Sequence, residues 1–232
     1  MRSLLFILLI APLVVFGQEG QVEQQDTIPD NRYREDQFYA GFTYNLVTDV
    51  PGGINNEGLS GGVHFGFLRD MPVNEQRNIA IAVGVGLSFN RYGQNLFIGE
   101  EKDSENTIFR VLDRVDYNSN SLHTTTFEFP VEFRWRTSTA TDYKFWRIYA
   151  GLRMGYTVWY RAKFKQTGND INQTDIPEFQ PLRTGLSLSV GYNTFNFFVY
   201  YSINPFFKDA ETLNGQSVDF RTIKLGLMFY IL

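Results

Sequence analysis

Few side chains in this 232-residue chain could do chemistry, and their spacing narrows what that chemistry could be. The two histidines are His64 and His123. Ser121, His123 and Glu128 come nearest to the nucleophile, base and acid of a hydrolase. His123 and Glu128 are an odd number of residues apart, so on one extended strand they leave opposite faces. The default reading of the trio is polar residues at a strand end and on an interior face. No metal-ligand spacing, phosphate loop or nucleotide fingerprint occurs. Without Cys there is no thiol nucleophile, thiolate metal site, disulfide or lipid-modified N-terminal Cys. A formal charge of −4 and a pI near 5.3 argue against a nucleic-acid partner. The chain therefore reads as a non-enzyme with no catalytic, cofactor-binding or metal site.

What the chain does carry is charge at a fixed interval. Glu128, Glu132, Arg134 and Arg136 interleave with Phe127, Phe129, Val131, Phe133 and Trp135. Arg147 and Arg153 alternate with Trp146, Ile148, Leu152, Met154 and Tyr156, and Arg183 and Lys224 fall into the same rhythm later. The elements that set this rhythm are eight period-two segments, at 37–47, 59–68, 79–90, 126–136, 146–158, 182–191, 195–204 and 223–231. Each is a strand with one oily face and one small or charged face. No charge occupies the centre of an oily face, where Lys or Arg at a bilayer midplane would cost roughly 2–4 kcal/mol. Gly and charge share the other face, which suits a narrow polar lumen. The segments predict an all-β, eight-stranded antiparallel transmembrane barrel of the outer-membrane type, with an interior filled by side chains rather than an open pore. Hydrophobic content of 43% with mean hydropathy of −0.23 excludes a bundle of membrane helices.

The rest of the chain fits that architecture. Residues 1–17, with a basic start and an apolar run too short to span a bilayer, read as a cleaved signal. Residues 18–36 read as a flexible acidic periplasmic lead-in, and 37–232 as the barrel. Connections alternate between long and short, which predicts long extracellular loops and both termini periplasmic. Trp135, Trp146, Tyr192, Phe195 and Phe229 are expected at one rim, and Phe89, Tyr160 and Tyr201 at the other. Pro130 predicts a local bulge. Within the lumen, Glu128 should meet Arg153, and Glu132 should meet Tyr149 and Arg147. Two acids against six bases leave excess positive charge for water, Tyr hydroxyls, a loop carboxylate or a bound anion. The segment 93–121 carries Glu100, Glu101, Asp103, Glu105, Asp113 and Asp116. It reads as a solvated loop, or as a surface touching a partner protein or cation-bridged lipopolysaccharide.

Several stretches carry a family likeness. Arg34-Glu35-Asp36-Gln37-Phe38-Tyr39, Gly61 through Pro72, Glu128 through Thr141 and Tyr143 through Tyr149 together resemble the PorT (SprT) barrels. The resemblance covers most of 34–232 and implies an outer-membrane barrel required for type IX protein secretion and, where present, gliding motility. It implies partners among outer-membrane lipid and other secretion components, and it brings no catalytic residues. The short turn between the fourth and fifth segments, with Arg69, Asp70, Met71, Pro72, Thr139, Asp142 and Tyr143, is then a candidate periplasmic docking surface. The same residues could instead serve barrel closure and insertion. The alternative function is a general barrel for adhesion or envelope integrity acting through its outer loops. A lipid-modifying enzyme stands third.

Overall fold

The computed structural model describes residues 36–100, 106–113, 117–137, 145–193 and 195–231. The expected signal and nearly all of the lead-in lie outside these residues, as do Thr139, Asp142 and Tyr143. The described residues form β1 (Gln37–Thr48), β2 (Gly61–Pro72), β3 (Ile79–Gly93), β4 (Leu96–Glu100), β5 (Thr107–Val111) and β6 (Ser119–Arg136). Then come β7 (Trp146–Gln166), β8 (Asn169–Gln173), β9 (Leu182–Tyr192), β10 (Phe195–Ser202) and β11 (Arg221–Ile231).

Eight of these strands close a barrel. The order is β1, β2, β3, β6, β7, β9, β10, β11, every pair is antiparallel, and β11 returns to β1 with Tyr39 opposite Tyr230. Closure follows from the alternation: a sheet with one oily face and no covered edge satisfies its outer backbone groups only by pairing its first strand with its last. Burial alternates residue by residue along β1, where Phe38, Phe42 and Tyr44 face out and Tyr39, Thr43 and Asn45 face in. Ile81 and Phe129 are exposed, whereas Arg134 and Arg153 are buried. Large apolar side chains therefore cover the outside, and charge fills the inside.

The segments between barrel strands at the long-loop end are not plain loops. β4 and β5 form a hairpin, β8 folds back on β7, and β6 and β7 run 18 and 21 residues, well past the apolar band. Together these parts bury a second core of Tyr92, Phe109, Phe179, Phe206, Phe207 and Phe220. Phe206 meets Tyr92 at 5.2 Å and Phe220 at 5.3 Å, ring centre to centre. Each such edge contact contributes about 0.5–1.5 kcal/mol beyond the area it buries. The core lies over one end of the barrel as a cap.

Three expectations are corrected. β2 does not stop at Leu68 but continues to Pro72, so Arg69 and Asp70 belong to a strand. Pro130 causes no bulge, because β6 holds the same register with β3 at Val131 and at Glu128 on either side of it. The bulge lies higher, where Thr126 pairs with Thr157 but Thr125 pairs with Trp159, leaving Val158 as the extra residue. That extra residue exchanges the faces above it. Trp159 takes the outward place expected of Tyr160, and Tyr160 turns in to stack on Phe179 at 4.0 Å.

Candidate functional site

Glu128, Arg153, Glu132, Arg134, Asp70 and Arg136 form one ladder in the lumen. Arg153 Nη1 donates to Glu128 Oε2 at 2.8 Å, and its Nη2 reaches Glu132 Oε1 at 3.5 Å. Arg134 donates to Glu132 Oε2 through Nε and Nη2, at 3.2 and 3.1 Å. Its Nη1 donates to Asp70 Oδ1 and to Gln37 Oε1, both at 3.2 Å. Arg136 Nη2 donates to Asp70 Oδ2 at 2.9 Å, and its Nε to the Arg77 carbonyl at 3.1 Å. Negative and positive groups thus alternate from Glu128 through Arg153, Glu132, Arg134 and Asp70 to Arg136. The strand period puts them there, because residues two apart share a face and cross-strand neighbours on that face come within reach.

Aromatic rings line the ladder. The Arg134 guanidinium lies 4.5 Å from the Tyr149 ring centre, and that of Arg153 lies 5.0 Å from Phe198. Tyr39 fits beside Arg153 because Gly66 and Gly86 leave it a slot. Burying ions in this way is costly, and it becomes tolerable only when every charge has partners. A cavity of about 20 Å³ lies near Glu128, Arg183 and Lys224, enough for roughly one water.

The expected Glu128–Arg153 pair is present. Glu132, however, does not meet Arg147: it lies opposite Gly151 and bonds Arg134 and Arg153, while Tyr149 stacks on Arg134 instead. The expected charge excess is also reduced, because Asp70 supplies a third acid inside the barrel. Arg147 rests its guanidinium 4.4 Å from the Phe145 ring. Arg183 donates to the carbonyls of Gln180 and Pro205 at 2.6 and 2.7 Å, tying two connections at the long-loop end to the barrel wall. Lys224 Nζ donates to Asn90 Oδ1 at 2.9 Å.

The proposed docking set divides. Asp70 is fully buried and committed to Arg134 and Arg136, so it cannot belong to a docking surface. Continuing the alternation of β2 two residues past Leu68 would have revealed its inward place. Arg69 is half-exposed with Asp36 Oδ2 at 3.0 Å, and Met71 is exposed. Thr139, Asp142 and Tyr143 lie outside the described residues. In the acidic segment, Glu100 accepts from Gln173 Nε2 at 2.8 Å, and Glu101, Asp103, Glu105 and Asp116 lie outside the described residues.

Ser121 Oγ does lie 3.1 Å from His123 Nε2, but Glu128 is in the lumen and away from both. A triad-like array occurs at the other histidine. His64 Nδ1 is 3.2 Å from Glu128 Oε1, and its Nε2 is 3.2 Å from Thr43 Oγ1. Thr43 gives its hydroxyl proton to Asn45 Oδ1 at 2.9 Å, and all these groups are buried. The array joins β1, β2 and β6, with its hydroxyl proton engaged away from the imidazole.

The sequence pattern of the outer-membrane protein β-barrel domain matches residues 18–208. No curated protein matches the chain in sequence. Among solved structures, the chain is similar to two crystal structures of Ail, the attachment invasion locus protein of Yersinia pestis. One, in complex with the heparin analogue sucrose octasulfate, shows 14% identity and TM-score 0.37 over 85% of this chain and 99% of that one. The other shows 14% identity and TM-score 0.36 over 84% and 97%. With a closed eight-stranded barrel, an apolar outside and a charged inside, the chain belongs to the outer-membrane protein β-barrel domain family.

Proposed function

We propose that the protein is a non-catalytic outer-membrane barrel that works by contact through its folded outer cap, serving adhesion or envelope integrity. The observation that carries this reading is the cap itself. Long outer segments that bury their own aromatic core hold a fixed surface, and an ion ladder occupies the lumen beneath it. In this reading the long loops lie outside and both termini are periplasmic, in keeping with the usual asymmetry of such barrels. The test replaces the segment 94–118 with a short turn in the producing organism and measures attachment to surfaces and resistance to detergent. Loss of either with normal barrel levels supports the reading; both unchanged, it fails.

A second reading is an accessory role in type IX secretion through contact with other secretion components. It is favoured by where the residues resembling PorT barrels lie. Those of β2 and β6 converge on the Asp70–Arg134–Arg136 cluster at the short-turn end, beside exposed Arg69 and Met71. Periplasmic accumulation of type IX cargo in a deletion strain supports this role, and normal export excludes it.

A further inference from the structure

The outward face of the barrel changes character abruptly between two rows of residues. Along β6, Trp135 at one rim and Thr125 below the cap are ten residues apart. At about 3.4 Å per residue and a tilt near 40°, that separation is about 26 Å, the height of the apolar band of such barrels. The row at Thr125 holds Val63, Phe89 and Trp159. The row directly above it holds Gly61, Arg91, His123 and Arg161, each opposite the next across the strands. Lys163 follows one step higher, opposite Ser121. The Val158 bulge is what gives Trp159, Arg161 and Lys163 the outward parity.

Among the described residues, no carboxylate lies within salt-bridge distance of Arg91, Arg161 or Lys163. Arg91 Nη2 donates only to Ser119 Oγ, at 3.3 Å, and the Arg161 guanidinium lies 5.1 Å from the Trp159 ring. Arg91 and Arg161 flank His123 from either side, with Lys163 one step higher, so the row gathers positive charge that an anion placed among them would offset. Immediately beneath them is an apolar groove of about 500 Å³, walled by Phe42, Val63, Phe89 and Trp159. Its floor is open at Gly61, which has the outward parity and carries no side chain.

We infer that this face binds a phosphorylated glycolipid of the outer leaflet, of the lipid A type. One acyl chain lies in the groove, and a phosphate sits among Arg91, Arg161 and Lys163 with His123 at its edge. The chemistry matches part by part: the charge of the row calls for an anion, and its height is where a bilayer changes from acyl chain to headgroup. Arg guanidinium and Lys ammonium are the side chains that hold phosphate best. The assignment stands whether the cap serves adhesion or secretion.

The test uses the full barrel purified in mild detergent, offered bisphosphorylated lipid A or the same lipid with its phosphates removed. Retention is read by native mass spectrometry. Wild type should hold the phosphorylated lipid at least tenfold better. The triple variant Arg91→Gln, Arg161→Gln, Lys163→Gln should lose that preference, whereas Arg91→Lys with Arg161→Lys should keep most of it. Lys208→Gln, on an exposed outer loop, should leave it unchanged. Heat-modifiable gel mobility establishes that each variant is folded. The wild-type comparison needs no variant: equal retention of the two lipids overturns the inference, as does a folded triple variant that keeps the preference.

Discussion

Asp70 on β2 and Arg134 on β6 meet in the lumen with Oδ1 and Nη1 3.2 Å apart, neither side chain touching solvent. β3 lies between their strands, so the contact crosses the barrel interior rather than running along the wall. Asp70 also accepts from Arg136, so one carboxylate is shared by two guanidinium groups at the short-turn end. Its removal leaves Arg134 with Glu132 as its carboxylate partner and takes the Asp70 ion pair from Arg136.

Asp70→Asn should therefore be among the most damaging single changes in the barrel. Breaking a buried ion pair from one side costs about 3–5 kcal/mol. The urea midpoint for unfolding from lipid vesicles should fall accordingly. Adding Arg134→Gln should recover part of the loss, because it restores the balance of two carboxylates and two guanidinium groups along the ladder. An unchanged midpoint for Asp70→Asn would show that the ladder does not stabilise the barrel.

Gly86→Ala tests the packing of the ladder rather than its charge. A methyl at this position would lie 2.0 Å from the Tyr39 hydroxyl oxygen and 2.7 Å from the Phe65 carbonyl. The strain should cost about 1–3 kcal/mol. Tyr39→Phe in the same chain removes the nearest atom and should recover part of it, read from the same urea midpoint.

The cap should loosen without the barrel opening. Phe206→Ala removes ring contacts to Tyr92, Phe179 and Phe220. Truncating a buried Phe typically costs about 3–5 kcal/mol. Protease cleavage within the cap segments should become at least tenfold faster, while heat-modifiable mobility of the barrel persists. Equal cleavage rates would show that the aromatic core does not hold the cap.

Much of the barrel was legible in the sequence because period two is a strong signal where one face meets lipid and the other a narrow lumen. Glu128 and Arg153 could be paired from the turn between their strands alone. Tyr160 was misread because an unpaired residue at Val158 leaves no mark in composition yet exchanges the faces beyond it. Asp70 was missed because β2 outlasts its oily positions: the strand is fixed there by pairing to β3, not by hydropathy. The contact of Thr43 with His64 depends on register between β1 and β2, which alternation within one strand does not specify. The cap was hidden for a related reason, since its rings lie on segments distant in sequence and converge only after the barrel closes.

Because the chain contains no Cys, single nitroxide labels can be placed without further changes. Labels at Val85, Val131 and Leu188, all exposed on the apolar face, give the most direct measurement. In outer-membrane lipid vesicles their collision with oxygen should exceed that with a water-soluble nickel chelate, as for probes among acyl chains. If the nickel chelate dominates at all three positions, the oily face meets water and the membrane account is wrong.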